Sequence, residues 1–155
     1  MKKILLCFIL LFIISCKEKP KNFYGFGEIK LDSIFKNLPS SKKFKKISEN
    51  EFKIDTFKLS EKIGFVKNLI VKTDHEKIYD ISFDCMKTTN IRFIDSLMKN
   101  VTELKSLNNV ENKSLPIQFY EQSDGKIIFS KTIEKKDSLV SYRYCDIQKM
   151  LEFAK

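Results

Sequence analysis

Few residues of this 155-residue chain can do chemistry, and they are scattered. His75 is the single histidine, set in Asp74-His75-Glu76. Three consecutive side chains cannot all converge on one ion, and no second histidine completes a zinc-type site. The group reads as a polar hairpin tip, and no metal is expected. A Ser-His-Asp or Cys-His nucleophile would need this same histidine, and the chain has no Gly-x-Ser-x-Gly elbow. Tyr24-Gly25-Phe26-Gly27 holds Gly-x-Gly without the third glycine or the βαβ context of a phosphate cradle. Any two of the 20 acids could meet in space, but nothing singles out a catalytic pair, and Asp80, Asp84 and Asp95 read equally well as solvated. The expectation is no catalytic residue and no cofactor.

Two other residue types carry candidate roles. Cys85 and Cys145 each end a strand-like run, Ile81–Cys85 and Tyr142–Cys145. As a disulfide they would close a loop of about 60 residues, worth roughly 4 kcal/mol by loop entropy. The alternative is two separate half-buried thiols. Tyr142 and Tyr144 alternate with Arg143, and Tyr120 follows Phe119 in an earlier strand. Facing outward, these three tyrosines would form a sugar- or protein-binding platform. Facing inward, they would be core residues with wetted hydroxyls.

The elements that must position these groups change period along the chain. Asp32 or Ser33 can cap a short helix through Ile34, Phe35 and Leu38 that Pro39 ends, with a lysine-rich loop after it. Phe52 and Ile54 then alternate with charged residues, and Phe57 and Leu59 resume the pattern after a one-residue shift. Ile63–Val71 and Tyr79–Phe83 read as a hairpin about Thr73–Glu76. From Thr88 or Thr89, the residues Ile91, Ile94, Leu97, Met98, Val101 and Leu104 make one apolar helical stripe, closed by Asn108-Asn109. Ile117–Tyr120, Lys126–Ile133 and Leu139–Cys145 follow as strands, and Asp146 can cap a closing helix. The prediction is an α+β two-layer sandwich. Its antiparallel sheet has about six strands, one long amphipathic helix on one face and short helices near both ends.

Charge narrows the partners. The chain has 29 Lys+Arg against 20 Asp+Glu; without the two lysines of residues 1–15 the balance is a formal +7. Only Arg92 and Arg143 are arginines, and no lysine cluster lines one helix. Bidentate phosphate and base recognition favours arginine, so no nucleic-acid partner is expected.

The first sixteen residues supply an address. Met1-Lys2-Lys3 is basic, Ile4–Ile14 is an apolar run of 11 residues, and Ile13-Ile14-Ser15-Cys16 ends it. The run is shorter than the ~20 residues that span a bilayer and fits the apolar core of a secretory signal. The Ile-Ile-Ser-Cys ending resembles the lipobox of bacterial lipoproteins. That resemblance implies cleavage after Ser15, acylation of Cys16 and a lipid-anchored protein of the cell envelope. Lys17 in place of an aspartate is similar to lipoproteins sent on to an outer membrane. The expected organisation is a signal at 1–15, a lipidated tether at 16–22 and one domain at 23–155. Gly27–Ile34 leading into Leu38-Pro39 also resembles the opening of small lipoprotein domains of the BamE and β-lactamase-inhibitor-protein kind. Those domains bind proteins; the resemblance is one of shape and assigns no binding residue here. The resulting expectation is a non-catalytic binding or assembly module with another envelope protein as partner. The alternative is a small hydrolase of cell-wall or surface glycans working through paired carboxylates.

Overall fold

The computed structural model describes residues 23–101, 105–107, 117–122, 125–134 and 138–153. The signal, Cys16, the tether and the Asn108-Asn109 helix stop lie outside the described residues.

The described residues are mostly β, which overturns the α+β two-layer sandwich. A small hairpin pairs β1 (Gly25–Phe26) with β2 (Ile29–Lys30). One antiparallel sheet then takes eight strands. Its first half is the meander β3 (Lys45–Ser48), β4 (Glu51–Ser60), β5 (Gly64–Asp74) and β6 (Lys77–Cys85). Its second half is β7 (Lys105–Leu107), β8 (Ile117–Glu121), β9 (Ile127–Glu134) and β10 (Leu139–Asp146). The order β3-β4-β5-β6-β10-β9-β8-β7 places the last strand of each meander at the centre. Tyr142 pairs with Phe83 and Tyr144 with Ile81 across that seam.

The expected long helix is instead α1, Ile91–Val101, three turns long. Asn90 starts it, its Oδ1 accepting from Phe93 N–H at 3.1 Å. Thr89 is spent elsewhere, accepting from Met86 N–H at 2.7 Å and donating to the Phe65 carbonyl at 2.5 Å. Val101 is the last described residue of α1 and Lys105–Leu107 belong to the sheet; Leu104 of the expected stripe lies outside the described residues. The short helix expected at Ile34–Leu38 is a 3-10 turn, Phe35–Asn37. Lysine at Lys45 and Lys46 made β3 look like loop; a sheet edge is where charged strand residues belong. The closing helix α2, Ile147–Glu152, forms as predicted, with Asp146 Oδ1 accepting from Gln148 and Lys149 N–H at 3.0 and 3.2 Å.

Period-two alternation divides the sheet into an inner and an outer face. On the inner face Phe83, Phe129 and Tyr144 meet Phe23 and Phe26 of the N-terminal segment at ring separations of 5.2–6.0 Å. Phe35 stacks on Phe52 at 4.1 Å and Phe44 lies 6.0 Å from Phe57, so the same segment covers β4. Helix α1 completes the cover with buried Ile94 and Met98. It is fastened by Asp95, which accepts from Lys131 Nζ at 2.8 and 3.0 Å and from the Tyr142 hydroxyl at 2.6 Å. The phase shift read between Ile54 and Phe57 is present. It falls at Asp55, opposite Asn68, whose φ of 49° bends β5 and returns Val66, like Phe57, to the inner face.

Candidate functional site: an open trough on the outer sheet face

Among the described residues, the outer face is covered only at one end. There α2 sets Met150 Sδ 3.7 Å from Cys145 Sγ and Phe153 against Tyr79 at 5.2 Å, and Lys149 pairs with Asp74. The rest of the face is a trough of about 550 Å³. Strand register builds its floor in two rows. Lys53, Ile70, Ser82, Arg143, Ser130 and Phe119 follow one another across six strands. At about 4.8 Å per strand that row is roughly 24 Å long. Beside it run Asp84, Ser141, Thr132 and Ile117.

Arg143 is the fixed cation of the floor. Its Nε donates to Asp80 Oδ1 and Oδ2 at 3.0 and 3.1 Å, and Nη2 donates to Oδ2 at 2.5 Å. Asp80 is 2% exposed while the Arg143 side chain is 45% exposed, so the carboxylate is the buried support and the guanidinium the accessible part. The Asp80 hydrogen bonds raise the guanidinium pKa further above its already high ordinary value. Asp84 is held likewise, accepting from Ser141 Oγ at 2.7 Å and Asn68 Nδ2 at 2.8 Å.

The chemistry on offer is hydrogen bonding from serine and threonine hydroxyls about a rigid cation, flanked by Ile70, Ile117 and Phe119. Asp80 and Asp84 share the face four residues apart, about 14 Å at strand rise. The glycosidase arrangement needs roughly 5–10 Å. His75 sits with Glu76 in the hairpin turn between β5 and β6, both at positive φ. It is nine residues from Asp84, about 30 Å along the strand, and so cannot join Ser141 and Asp84 as a triad. No group of three His, Cys, Asp or Glu able to hold a metal occurs among the described residues.

The sequence-nominated sites fare differently. Tyr142 and Tyr144 are 3% and 1% exposed and point to the inner face, so they form no outward platform. Tyr120 is half-buried against the same core, its hydroxyl donating to Gln118 Oε1 at 3.1 Å. Burial pushes both inner tyrosine hydroxyls well above the ordinary phenol range, with the Asp95 hydrogen bond adding to it at Tyr142. Cys85 and Cys145 are free thiols on opposite faces of the sheet, which corrects the disulfide. Cys145 pairs with Asp80, five residues along β6 from Cys85, so about 17 Å separate them, far beyond bonding reach. Burial pushes Cys85 up to about 12 and Cys145 up to about 11.

The trough itself was missed in the sequence. Its signal was a polar residue at every second position: Asp80, Ser82 and Asp84; Ser130 and Thr132; Ser141 and Arg143. Such alternation normally marks a merely wetted face, and only the pairing of β6 with β10 brings Arg143 to Asp80. Compared with protein-family models, with curated proteins and with solved structures, the chain finds no match in any of the three.

Proposed function

We propose that this protein is a lipid-anchored, non-catalytic binding module of the bacterial envelope, outer-membrane targeted, that holds another envelope protein in the outer-face trough. The observation carrying this reading is the position of the trough relative to the tether. Phe23, the first described residue, packs on the inner face against Phe129 and Tyr144, so the tether joins the side opposite the trough. Acyl chains on Cys16 would hold the domain at the bilayer while the trough stays free for a partner. Its floor suits recognition: fixed donors, apolar flanks and a cation that needs no reordering when it binds.

The test is site-specific photo-crosslinking in intact cells. A photoreactive residue at Ser130 or Ser82 should capture one reproducible envelope protein, and the same residue at Lys58, outside the trough, should not. Capture of the same proteins from all three positions would remove the trough as the binding surface.

A further inference from the structure

A second concavity lies on the inner side, where the tether enters. It is an open concavity of about 500 Å³, with Phe23, Phe26, Ile63, Phe93 and Leu97 as its apolar lining and Ser60, Glu61 and Lys62 at its polar edge. Phe23, Phe26 and Ile63 form a buried floor, while Phe93 and Leu97 of α1 are half-buried walls. The β1–β2 turn closes one side rigidly. Gly27, at φ 56°, lies so near the Leu59 carbonyl that a Cβ would come within 2.6 Å of its oxygen. Lys62 stands at the rim, its amine 5.8 Å from the Phe93 ring centre. The entry of the tether is fixed as well, because Phe23 N–H donates to buried Gln122 Oε1 at 3.2 Å.

We infer that this pocket receives an acyl chain carried on Cys16 of the same molecule. The inference rests on the lipid-anchor reading above. Six residues separate Cys16 from Phe23, seven Cα steps and a reach of about 24 Å at full extension, and Phe23 is itself part of the pocket. An acyl chain gains about 0.8 kcal/mol per buried CH₂ in any dry apolar site. The pocket therefore competes with the bilayer for a chain that the tether keeps within reach. Lys62 at the rim suits the ester oxygens where the chain leaves the glycerol. A chain seated here is withdrawn from the membrane, so the pocket weakens the anchor by one chain and shelters that chain from water.

The full-length protein is expressed in bacteria fed a diazirine fatty acid, irradiated in membranes and digested with trypsin. The expected product joins the peptide bearing Cys16 to residues 93–99, which hold Phe93 and Leu97. Leu97→Trp fills the pocket with apolar bulk and should cut that product at least tenfold, with acylation of Cys16 unchanged. Ile70→Trp, on the opposite face, should leave it intact. Acylated Cys16 whose chains cross-link only to phospholipid would overturn the pocket while leaving the anchor standing. Residues 93–99 linked to phospholipid and not to the Cys16 peptide would equally overturn it. An unacylated Cys16 would overturn the anchor and the inference together.

Discussion

Arg143 on β10 and Asp80 on β6 meet side by side across the central seam of the sheet, in three hydrogen bonds of 2.5–3.1 Å. The pair is lopsided, since only the arginine reaches solvent. Removing either partner should therefore have unequal effects. Arg143→Met strands a buried carboxylate and should cost about 2–3 kcal/mol, below the ~3–5 of a fully buried pair. Asp80→Asn keeps the shape and leaves an arginine free to hydrate, for about 1 kcal/mol. Urea unfolding of both variants checks the order; equal losses would contradict the lopsided burial.

The thiols offer a direct chemical check. With Cys85 at about 12 and Cys145 at about 11, both buried, neither forms thiolate near neutral pH. Native protein at pH 8 should leave both unalkylated by iodoacetamide over an hour, and urea should expose both. Peptide mapping without reductant should recover them separately, and a Cys85–Cys145 cross-linked peptide would refute the strand register.

The docking of α2 should depend on pH at both extremes. Lys149 lowers the Asp74 pKa below its ordinary 3.8, by a hydrogen bond first, and Asp74 raises that of Lys149 above 10.5 by the same bond. The Asp74 contribution is complete above pH 3.8 and vanishes as pH falls through its lowered folded value. The Lys149 contribution is complete below pH 10.5 and vanishes as pH rises through its raised one. Amide exchange in Ile147–Glu152 should thus gain protection across the middle range and lose it at either end. Lys149→Met should flatten both limbs, and an unaltered profile in that variant would assign the dependence elsewhere.

Tyr142 tests the core reading of the tyrosines. Tyr142→Phe removes one donor from Asp95, which Lys131 still serves, and should cost about 1 kcal/mol. Phe83→Ala, at 1% exposure on the facing strand, should cost about 3–5 kcal/mol. Partner capture from the trough should survive Tyr142→Phe; its loss without unfolding would return the tyrosines to the binding surface.

For the anchor, Cys16→Ala should leave an unprocessed precursor or release the protein from membranes. Normal processing with unchanged membrane fractionation in that variant would remove the lipid address.

Much of the strand pattern was legible because it is local. Phe52 to Leu59, Ile63 to Val71 and Tyr79 to Phe83 alternate at period two, and a polar turn separates the last two. The Asp146 cap was legible for the same reason: one carboxylate and the two amide hydrogens that follow it settle the matter. Three things escaped. The fold class failed because Lys45-Lys46 and Lys105–Leu107 carry no apolar alternation and become strands only by lying at the edges of a sheet already formed. Alternation with Ser141 and Arg143 allowed the inward face for Tyr142 and Tyr144; what escaped was the burial of their hydroxyls, because Asp95, which takes the Tyr142 hydroxyl, lies 47 positions away. The Arg143–Asp80 pair spans 63 positions, and no local rule reaches that far.

The seam also sets an order of assembly. Within the meanders every connection but β7–β8 has five residues or fewer, so their closure is cheap and quick. Pairing β6 with β10 must instead close some sixty residues of chain, α1 included. Two half-sheets should therefore form early and join late. Substitutions such as Thr73→Ala within the β5–β6 hairpin would then slow refolding, whereas Arg143→Met at the seam would mainly speed unfolding. The same closing step creates the trough, so a molecule that has not finished folding has no trough to offer the proposed partner.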